Sequence, residues 1–146
     1  MENRETKYWI ITASKDHVKD GVSQGVVQAS HGKTAPLKRM QKGDLVLYYS
    51  GKQTLGKPDK CQEFTAIGKI QDDEIFQVKI SEDFAPFRRK AEFFEGEDVS
   101  ILPLIKHLHF IKNKEKWGAP FRFGMLEIPK EDFDLISAKM LQNDKN

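Results

Sequence analysis

The amino-acid sequence predicts an α+β fold, in which short helices flank a mostly antiparallel, partly closed β-sheet. Short segments rich in aromatic and β-branched residues recur along the chain, and the predicted order is strand, small helices, several strands, helix, strand, helix. This order lacks the regular strand–helix alternation of a doubly wound parallel sheet, and no repeat or linker divides the 146 residues. We therefore expect a single domain over residues 1–146, with residues 1–6 and 142–146 frayed.

Three elements are predicted in the first third of the chain. Residues 7–12 are rich in aromatic and β-branched side chains, which favours a first strand. Residues 34–40 are predicted to form a brief helix, because a proline stands in the first turn. Residues 45–49 are apolar and follow a Gly-Asp turn, as is typical of a buried strand.

The middle of the chain is predicted to hold an exposed loop and a hairpin. Residues 51–60 carry two glycines, a proline and several lysines without periodicity, so we expect a mobile loop. Residues 63–70 alternate in polarity, and residues 75–80 follow an Asp-Asp pair that is expected to turn the chain. These two segments are therefore predicted to pair with each other.

The remaining elements are two strands and two helices. Residues 84–94 are predicted as a strand interrupted at Pro86, since proline within sheets belongs at edges, starts or bulges. Residues 101–108 fit a short helix with a proline near its start. Residues 121–128 are predicted as the last strand, and residues 129–141 as a closing helix with acidic residues early and a lysine late.

Composition narrows the class of protein. Hydrophobic residues make up 38% of the chain and charged residues 32%, and no apolar run approaches the ~18 residues that span a bilayer. The first residues lack the apolar core of a signal peptide, and the lone Cys61 excludes an internal disulfide. We therefore expect a soluble, cytoplasmic monomer without membrane association.

Charge is unevenly distributed, although the formal net charge is only +2. Residues 28–60 hold seven Lys or Arg against two Asp, whereas residues 71–100 hold four against nine acids. A basic face suits contact with phosphates, but a charge run is more often a solvated surface. Composition alone leaves both interpretations open.

The central segment 25–50 is the first candidate for a pocket wall. Gly32 lies between a histidine and a lysine, where the missing Cβ permits a turn or a close approach of the backbone to a ligand. Tyr48 and Tyr49 are adjacent on the predicted strand and must point to opposite faces. One ring is expected in the core, and the other is a candidate for ligand contact.

Basic and aromatic residues are interleaved at two further places. Arg88 and Arg89 follow a phenylalanine, and Arg122 stands between two. Guanidinium groups beside rings stack bases and bind phosphates, while the alternative is core phenylalanines with solvated or salt-bridged arginines. Because neighbouring strand residues face opposite sides, only one of Arg88 and Arg89 can enter a given pocket.

Motifs for catalysis and metal binding are incomplete. Residues 51–57 have glycines at P-loop spacing, but Pro58 stands where a hydroxyl must reach Mg²⁺. His31 and Cys61 could act as base and nucleophile, yet no third orienting group or oxyanion-hole motif accompanies them. Two histidines separated by one leucine lack the second ligand pair of a zinc site. We expect no catalytic residue, metal or cofactor.

In their joint order, these patterns resemble the EVE domain family of the PUA-like superfamily over nearly the full chain. The segments that carry the resemblance are Tyr8-Trp-Ile-Ile, Gly21-Val, His31-Gly-Lys, Ala35-Pro-Leu, Met40 before Gly43-Asp, Tyr48-Tyr-Ser, Phe64-Thr-Ala-Ile-Gly, Pro86-Phe-Arg-Arg, Pro103-Leu-Ile, Trp117-Gly and Phe121-Arg-Phe-Gly. The resemblance implies a small PUA-like β-barrel flanked by helices, related to the YTH, ASCH and SRA domains that hold a modified base in an aromatic-lined pocket. The loop at 51–60 is longer than in many family members.

The resemblance also implies the position of a pocket with a floor, two rims and an opening. Its candidate ligand-binding residues are Trp9 and Thr12 at the floor, Ser30, His31, Gly32 and Lys33 on one rim, Tyr48, Tyr49 and Ser50 on the other, Phe87, Arg88, Arg89, Phe121, Arg122 and Phe123 around the opening, and Trp117 as a further stacking residue.

The leading hypothesis is a non-catalytic module that takes an unstacked, modified base of RNA or DNA into this pocket while basic side chains hold phosphates. Nucleic acid is thus the expected partner. Two alternatives stay open. One is a binder of a free nucleoside or anionic metabolite, and the other is a nucleotide-acting enzyme with His31 as base, assisted by Cys61 or Asp44.

Overall fold

The fold is built on a seven-stranded sheet in which most neighbouring strands are antiparallel. The computed structural model describes residues 5–141, so the fraying expected for residues 1–4 and 142–146 lies outside the described residues. The strands are β1 (Tyr8–Thr12), β2 (Val26–Val27), β3 (Leu45–Lys52), β4 (Lys60–Gln77), β5 (Phe87–Phe93), β6 (Val99–Ser100) and β7 (Met125–Ile128). The helices are α1 (Lys15–Gln24), α2 (Thr34–Lys38) and α3 (Lys130–Met140), with 3-10 turns at Ser30–Gly32, Leu102–His107 and Ala119–Phe123.

The strand order is β2-β5-β4-β3-β1-β7, and β6 pairs with β4 outside this path. β1 and β3 run parallel, so their carboxyl ends lie at the same edge. The two end strands, β2 and β7, are not paired with each other, so the sheet is not closed. Its ends approach at Ser30 and Gly124, where a Cβ built on Gly124 would lie 3.1 Å from Ser30 Oγ. The predicted class, a mostly antiparallel sheet with short helices, is confirmed.

Each face of the sheet carries its own apolar core, because successive side chains of β1 and β3 point to opposite sides. The front core lies under α3 and includes Ile10, Leu47, Tyr49, Phe64, Ile101, Leu104, Phe121, Phe133 and Ile136. The back core lies under α1 and α2 and includes Trp9, Ile11, Val18, Val27, Leu37, Val46, Tyr48 and Ala91. Both tyrosines are therefore core residues, one on each face.

β4 is a continuous strand of 18 residues, so the hairpin predicted within it is wrong. The Asp-Asp pair lies where the pairing of β4 with β5 shifts register, which is a bulge and not a turn. The buried Arg89 guanidinium donates to the carbonyl oxygen of Asp72 at 2.6 Å and lies 3.7 Å from the Asp73 carboxylate. A distant side chain thus stabilises the bulge.

The predicted last strand, 121–128, is also wrong in its first part. Ala119–Phe123 forms a 3-10 turn with a proline near its start, and Gly124 (φ 79°) ends that turn before β7 begins. The other predicted strands and helices occur with shifted ends: β5 starts after Pro86 and not at residue 84, and β3 extends into the predicted loop. No helix within residues 5–141 is both long and apolar enough to cross a membrane.

Candidate functional site

The carboxyl ends of the parallel strands β1 and β3 bring the two halves of the chain together. Thr12, the last residue of β1, is paired with Tyr49 of β3. The Thr12 backbone N–H donates to the carbonyl oxygen of Gly124 at 2.8 Å, which places the segment before β7 beside β1. The Ser30 hydroxyl also lies against Gly124. We call the region formed by Thr12, Ser30, His31, Phe123 and Gly124 the carboxyl-end site.

The hydroxyl of Thr12 is buried and has no hydrogen-bond partner within residues 5–141. Leaving a hydroxyl buried and unpaired costs on the order of 1–3 kcal/mol, so such groups are rare in folded proteins. A polar ligand at this point would supply the missing partner. Within residues 5–141, the Nε of the interior Arg89 is unpaired as well, so an unpaired buried atom is not by itself a ligand site. At the carboxyl-end site, the Thr12 hydroxyl is compatible with a polar ligand.

The turn beside Thr12 holds two non-glycine residues in the left-handed region of backbone space. Ser30 has φ 50° and His31 has φ 61°. Such conformations cost of order 1–3 kcal/mol each and cluster at sites that bind ligands. His31 is exposed, so this turn presents an imidazole ring to solvent.

Gly32 follows this turn, but the surface that its backbone approaches closely belongs to the protein itself and not to a ligand. It has φ 84°, and a Cβ built on it would lie 2.3 Å from Pro86 Cβ. The expectation that Gly32 lets the backbone approach a ligand is therefore corrected. Its missing Cβ admits Pro86, and Gly32 supports the turn from beneath.

The aromatic residues of the site separate into buried and exposed groups. Tyr49 stacks on Phe121 with ring centroids 4.1 Å apart, and Phe110 packs edge-on against Phe121. Burial raises the pKa of Tyr49. Phe123 is 76% exposed, whereas Trp117 is half-buried against the front core. Tyr49 and Phe121 are buried against each other, and Phe123 is the most exposed ring of this group.

Trp9 lies in the back core and not at a pocket floor. It is 1% exposed, its Nε1 donates to the Asp44 carboxylate at 2.9 Å, and the Arg39 guanidinium carbon lies 4.9 Å from its ring centroid. The position implied for Trp9 by the resemblance is therefore corrected, because strand alternation directs it to the face opposite Thr12.

The second predicted rim, formed by Tyr48, Tyr49 and Ser50, is buried as well. The Tyr48 hydroxyl lies 3.3 Å from the backbone nitrogen of Gln28, and burial raises its pKa to about 12. Ser50 is fully buried, and its hydroxyl shares a 2.7 Å hydrogen bond with that of Thr65. Neither side chain reaches the surface at the carboxyl-end site.

The adjacent arginines have different roles. Arg89 is 1% exposed and donates from Nη1 to the carbonyl oxygens of Leu37 and Met40 at 2.7 and 2.8 Å. Burial lowers the pKa of Arg89, although the nearby acid Asp73 opposes that shift. Arg89 ties α2 to the sheet, so its predicted place at the pocket opening is corrected.

Arg88 remains partly exposed. Its Nε donates to the Gln28 side-chain oxygen at 3.0 Å, and its Nη1 donates to that of Gln24 at 2.9 Å. Phe87 is half-buried at the margin of the back core. Lys33 and Arg122 are exposed, so these cations and Arg88 are the ones positioned for an anionic partner.

Two of the three residues considered for catalysis, Cys61 and Asp44, make structural contacts. The Cys61 thiol donates to the Glu63 carboxylate at 3.5 Å, and burial, with Glu63 beside it, raises the pKa of Cys61 to about 11. A thiol with this pKa is protonated at neutral pH and is a poor nucleophile. Asp44 is buried and accepts hydrogen bonds from the side chain of Trp9 and the backbone of Gln41.

Sequence reasoning missed Gly124, Gln24 and Gln28. Gly124 follows a Phe-Arg-Phe run, and a glycine at that position could have indicated that a turn ends there before the last strand. The glutamines carried no such signal, because their contacts with Arg88 join residues far apart in the chain.

The EVE domain model matches residues 7–139 of this chain. A UPF0310 protein of Bacillus licheniformis, named for the gntR 5′ region, is 47% identical over 129 residues, which cover 88% of each chain.

Two solved structures share the PUA-like fold. The Pho92 YTH domain in complex with m6A has a TM-score of 0.58 at 16% identity, covering 100% of this chain and 90% of its own. Human THYN1 in complex with 5-methylcytosine-containing DNA has a TM-score of 0.50 at 13% identity, covering 97% of this chain and 100% of its own. At these low sequence identities, the two comparisons show a shared fold and nothing further.

Proposed function

The chain belongs to the EVE domain family, and from this premise we propose that it is a non-catalytic module that holds one unstacked, modified base of RNA or DNA at the carboxyl-end site. The observation that carries the proposal is the unpaired, buried Thr12 hydroxyl beside the segment that bears the exposed Phe123 ring. The complexes of the Pho92 YTH domain with m6A and of human THYN1 with 5-methylcytosine-containing DNA support a modified base as the ligand class.

The proposed contacts divide between stacking, base-edge recognition and charge. The Phe123 ring would stack on the base, an interaction worth about 1–3 kcal/mol. The Thr12 hydroxyl would pair with a polar group on the base edge, which recovers the cost of its burial. Exposed Lys33 and Arg122 would contact phosphates, which position the strand without selecting the base.

A non-catalytic role fits the chemistry of the remaining candidates. Cys61 is held as a thiol at neutral pH, and the Asp44 carboxylate is engaged in the protein interior. Neither group is prepared to act with His31 in nucleophilic or acid–base catalysis.

The test is a binding titration with single strands of about eight nucleotides, a length within the ~4–16 nucleotides that single-strand-binding folds cover. Matched strands would carry N6-methyladenosine, 5-methylcytosine or the unmodified base. We expect wild type to prefer one modified strand, and Phe123→Ala to weaken its binding by about 5- to 150-fold through lost stacking.

Phe84→Ala is the matched control, because Phe84 is another exposed phenylalanine, at 39%, in a turn that does not belong to the carboxyl-end site. It should bind as wild type does. Equal binding of modified and unmodified strands would reject recognition of a modified base. Binding of a free nucleoside as tightly as a strand would favour a small-molecule ligand.

A further inference from the structure

A second concavity lies at β2, β5 and the second half of β4, and it shares no residue with the carboxyl-end site. It has a volume of about 410 Å³ and is lined by residues including Gln24, Val26, Gln71, Phe76, Arg88 and Lys90. This volume falls within the ~300–1,000 Å³ typical of small-ligand pockets. The proposed base-binding function does not use this concavity.

The concavity is positively charged within an acidic part of the chain. Arg88 and Lys90 share one face of β5, because the buried Arg89 between them points to the other. Segment 71–100 holds nine acids, yet no acid lines the concavity. Within residues 5–141, the ion pairs formed by carboxylates include neither Arg88 nor Lys90. This charge is therefore available to an anion.

The Arg88 guanidinium is held in place by neutral groups. The amide oxygens of Gln24 and Gln28 accept from Nη1 and Nε, which fixes the guanidinium while preserving its charge. A guanidinium has five N–H donors, so further donors remain for a phosphate. Such a fixed, uncompensated guanidinium is suited to binding an anionic oxygen.

The concavity also offers a ring and amides. Phe76 of β4 lies directly across from Arg88 in the strand pairing, and its half-buried side chain lines the concavity. The Gln71 side chain can donate to and accept from a base edge. A ring, an amide and two cations together match the base, base edge and phosphate of a nucleotide.

β5 connects this concavity to the carboxyl-end site. Pro86, immediately before β5, packs on Gly32 beneath the turn at Ser30 and His31. Arg88 follows Pro86 by two residues, or about 6.6 Å along an extended chain, and Lys90 by about twice that distance. A strand with one base at the carboxyl-end site would thus pass close to Arg88.

We propose that this concavity is a second nucleotide subsite, which binds a nucleotide flanking the modified base in the same RNA or DNA strand. Phe76 stacks on the flanking base, and Arg88 and Lys90 bind its phosphates. The inference rests on the proposed function, and it adds that affinity depends on strand length and not only on the modified base.

The experiment measures the affinity of wild type, Phe76→Leu and Lys90→Gln for a modified strand of about eight nucleotides and for the corresponding free nucleoside. Lys139→Gln is the control, because it removes the same charge from an exposed position on α3 that does not line the concavity. Phe76→Leu should weaken strand binding by at least about fivefold. Lys90→Gln should reduce the slope of log affinity against log salt by about 0.7. Neither Phe76→Leu nor Lys90→Gln should change the affinity for the free nucleoside.

The outcomes separate the two proposals. If wild type binds the modified strand and both concavity variants match it and Lys139→Gln, the second subsite is rejected while base recognition stands. If wild type binds the strand no better than the nucleoside, the subsite is likewise rejected. If wild type binds neither probe, the proposed function fails and the subsite fails with it.

Discussion

The two ends of the parallel pair β1 and β3 differ in how completely their polar groups are satisfied. At the amino end, the Asp44 carboxylate accepts from the backbone N–H of Lys7 at 3.1 Å and from Trp9 and Gln41 at 2.9 Å each. At the carboxyl end, the buried Thr12 hydroxyl has no hydrogen-bond partner within residues 5–141. We call the amino end, which is formed by Lys7, Trp9, Gln41 and Asp44, the closed end.

On the proposed function, one pair of strands serves stability at one end and recognition at the other. Buried polar groups are normally paired, and a ligand that paired with the Thr12 hydroxyl would complete the carboxyl end. Substitutions at the closed end should therefore lower stability with little specific effect on binding. Substitutions at the carboxyl-end site should do the reverse.

The largest expected effect is that of Trp9→Ala at the closed end. Removing this 1% exposed indole leaves a cavity in the back core and deprives Asp44 of a donor. We expect a loss of about 3–5 kcal/mol in the free energy of unfolding, measured by guanidinium denaturation. An unchanged denaturation midpoint would show that the closed end does not stabilise the fold.

Asp44→Asn should have the next largest effect. The amide keeps the shape of the side chain but presents an NH₂ group where the carboxylate accepts backbone and indole N–H bonds. We expect a loss of about 2–3 kcal/mol in the free energy of unfolding, because at least one buried donor loses its acceptor. Full stability in this variant would mean that charge-assisted hydrogen bonds at Asp44 are unimportant.

Thr12→Val removes the unpaired hydroxyl at the carboxyl-end site while keeping a β-branched side chain. We expect the free energy of unfolding to rise by about 1 kcal/mol, since an unsatisfied buried group is lost. Affinity for the preferred modified strand should fall in the same variant. If stability falls by several kcal/mol, the hydroxyl has a structural partner and the contrast between the two ends fails.

The smallest effect concerns Cys61, on β4 beside the end of β3. Its folded pKa is raised to about 11, above the ordinary value of 9.0, so the folded state keeps a proton that the unfolded state releases. The contribution of Cys61 to stability is therefore fully present below pH 9 and should decline as pH rises from 9 to 11. Alkylation of native Cys61 should be slow at neutral pH and accelerate towards pH 11. Rapid alkylation at neutral pH would contradict this, and denatured protein is the control.

Local patterns were sufficient where neighbouring residues determine the structure. The alternation of a strand predicted that Tyr48 and Tyr49 lie on opposite faces, and they do. A proline in the first turn predicted the helix that became α2. The sequence could not show that both tyrosine rings would be buried, because their burial depends on Phe121 and Phe93 from distant segments.

The errors arose where a distant contact overrides a local preference. The Asp72-Asp73 pair has turn chemistry, but Arg89 from β5 holds it in a bulge. Gly32 was recognised as a point of close approach, yet which surface approaches it depends on Pro86. Local sequence indicates that a position is special and leaves open what occupies the space beside it.

The hydrogen bond between Thr12 and Gly124 also has a consequence for the order in which the protein is made. Lys7, Trp9 and Asp44 of the closed end emerge early in synthesis, whereas Gly124 is translated 80 residues after Asp44. Contacts between distant segments form late in folding, because the loop that joins them must close first. A nascent chain without β7 has no complete carboxyl-end site, so on the proposed function nucleic-acid binding should begin only once β7 has left the ribosome.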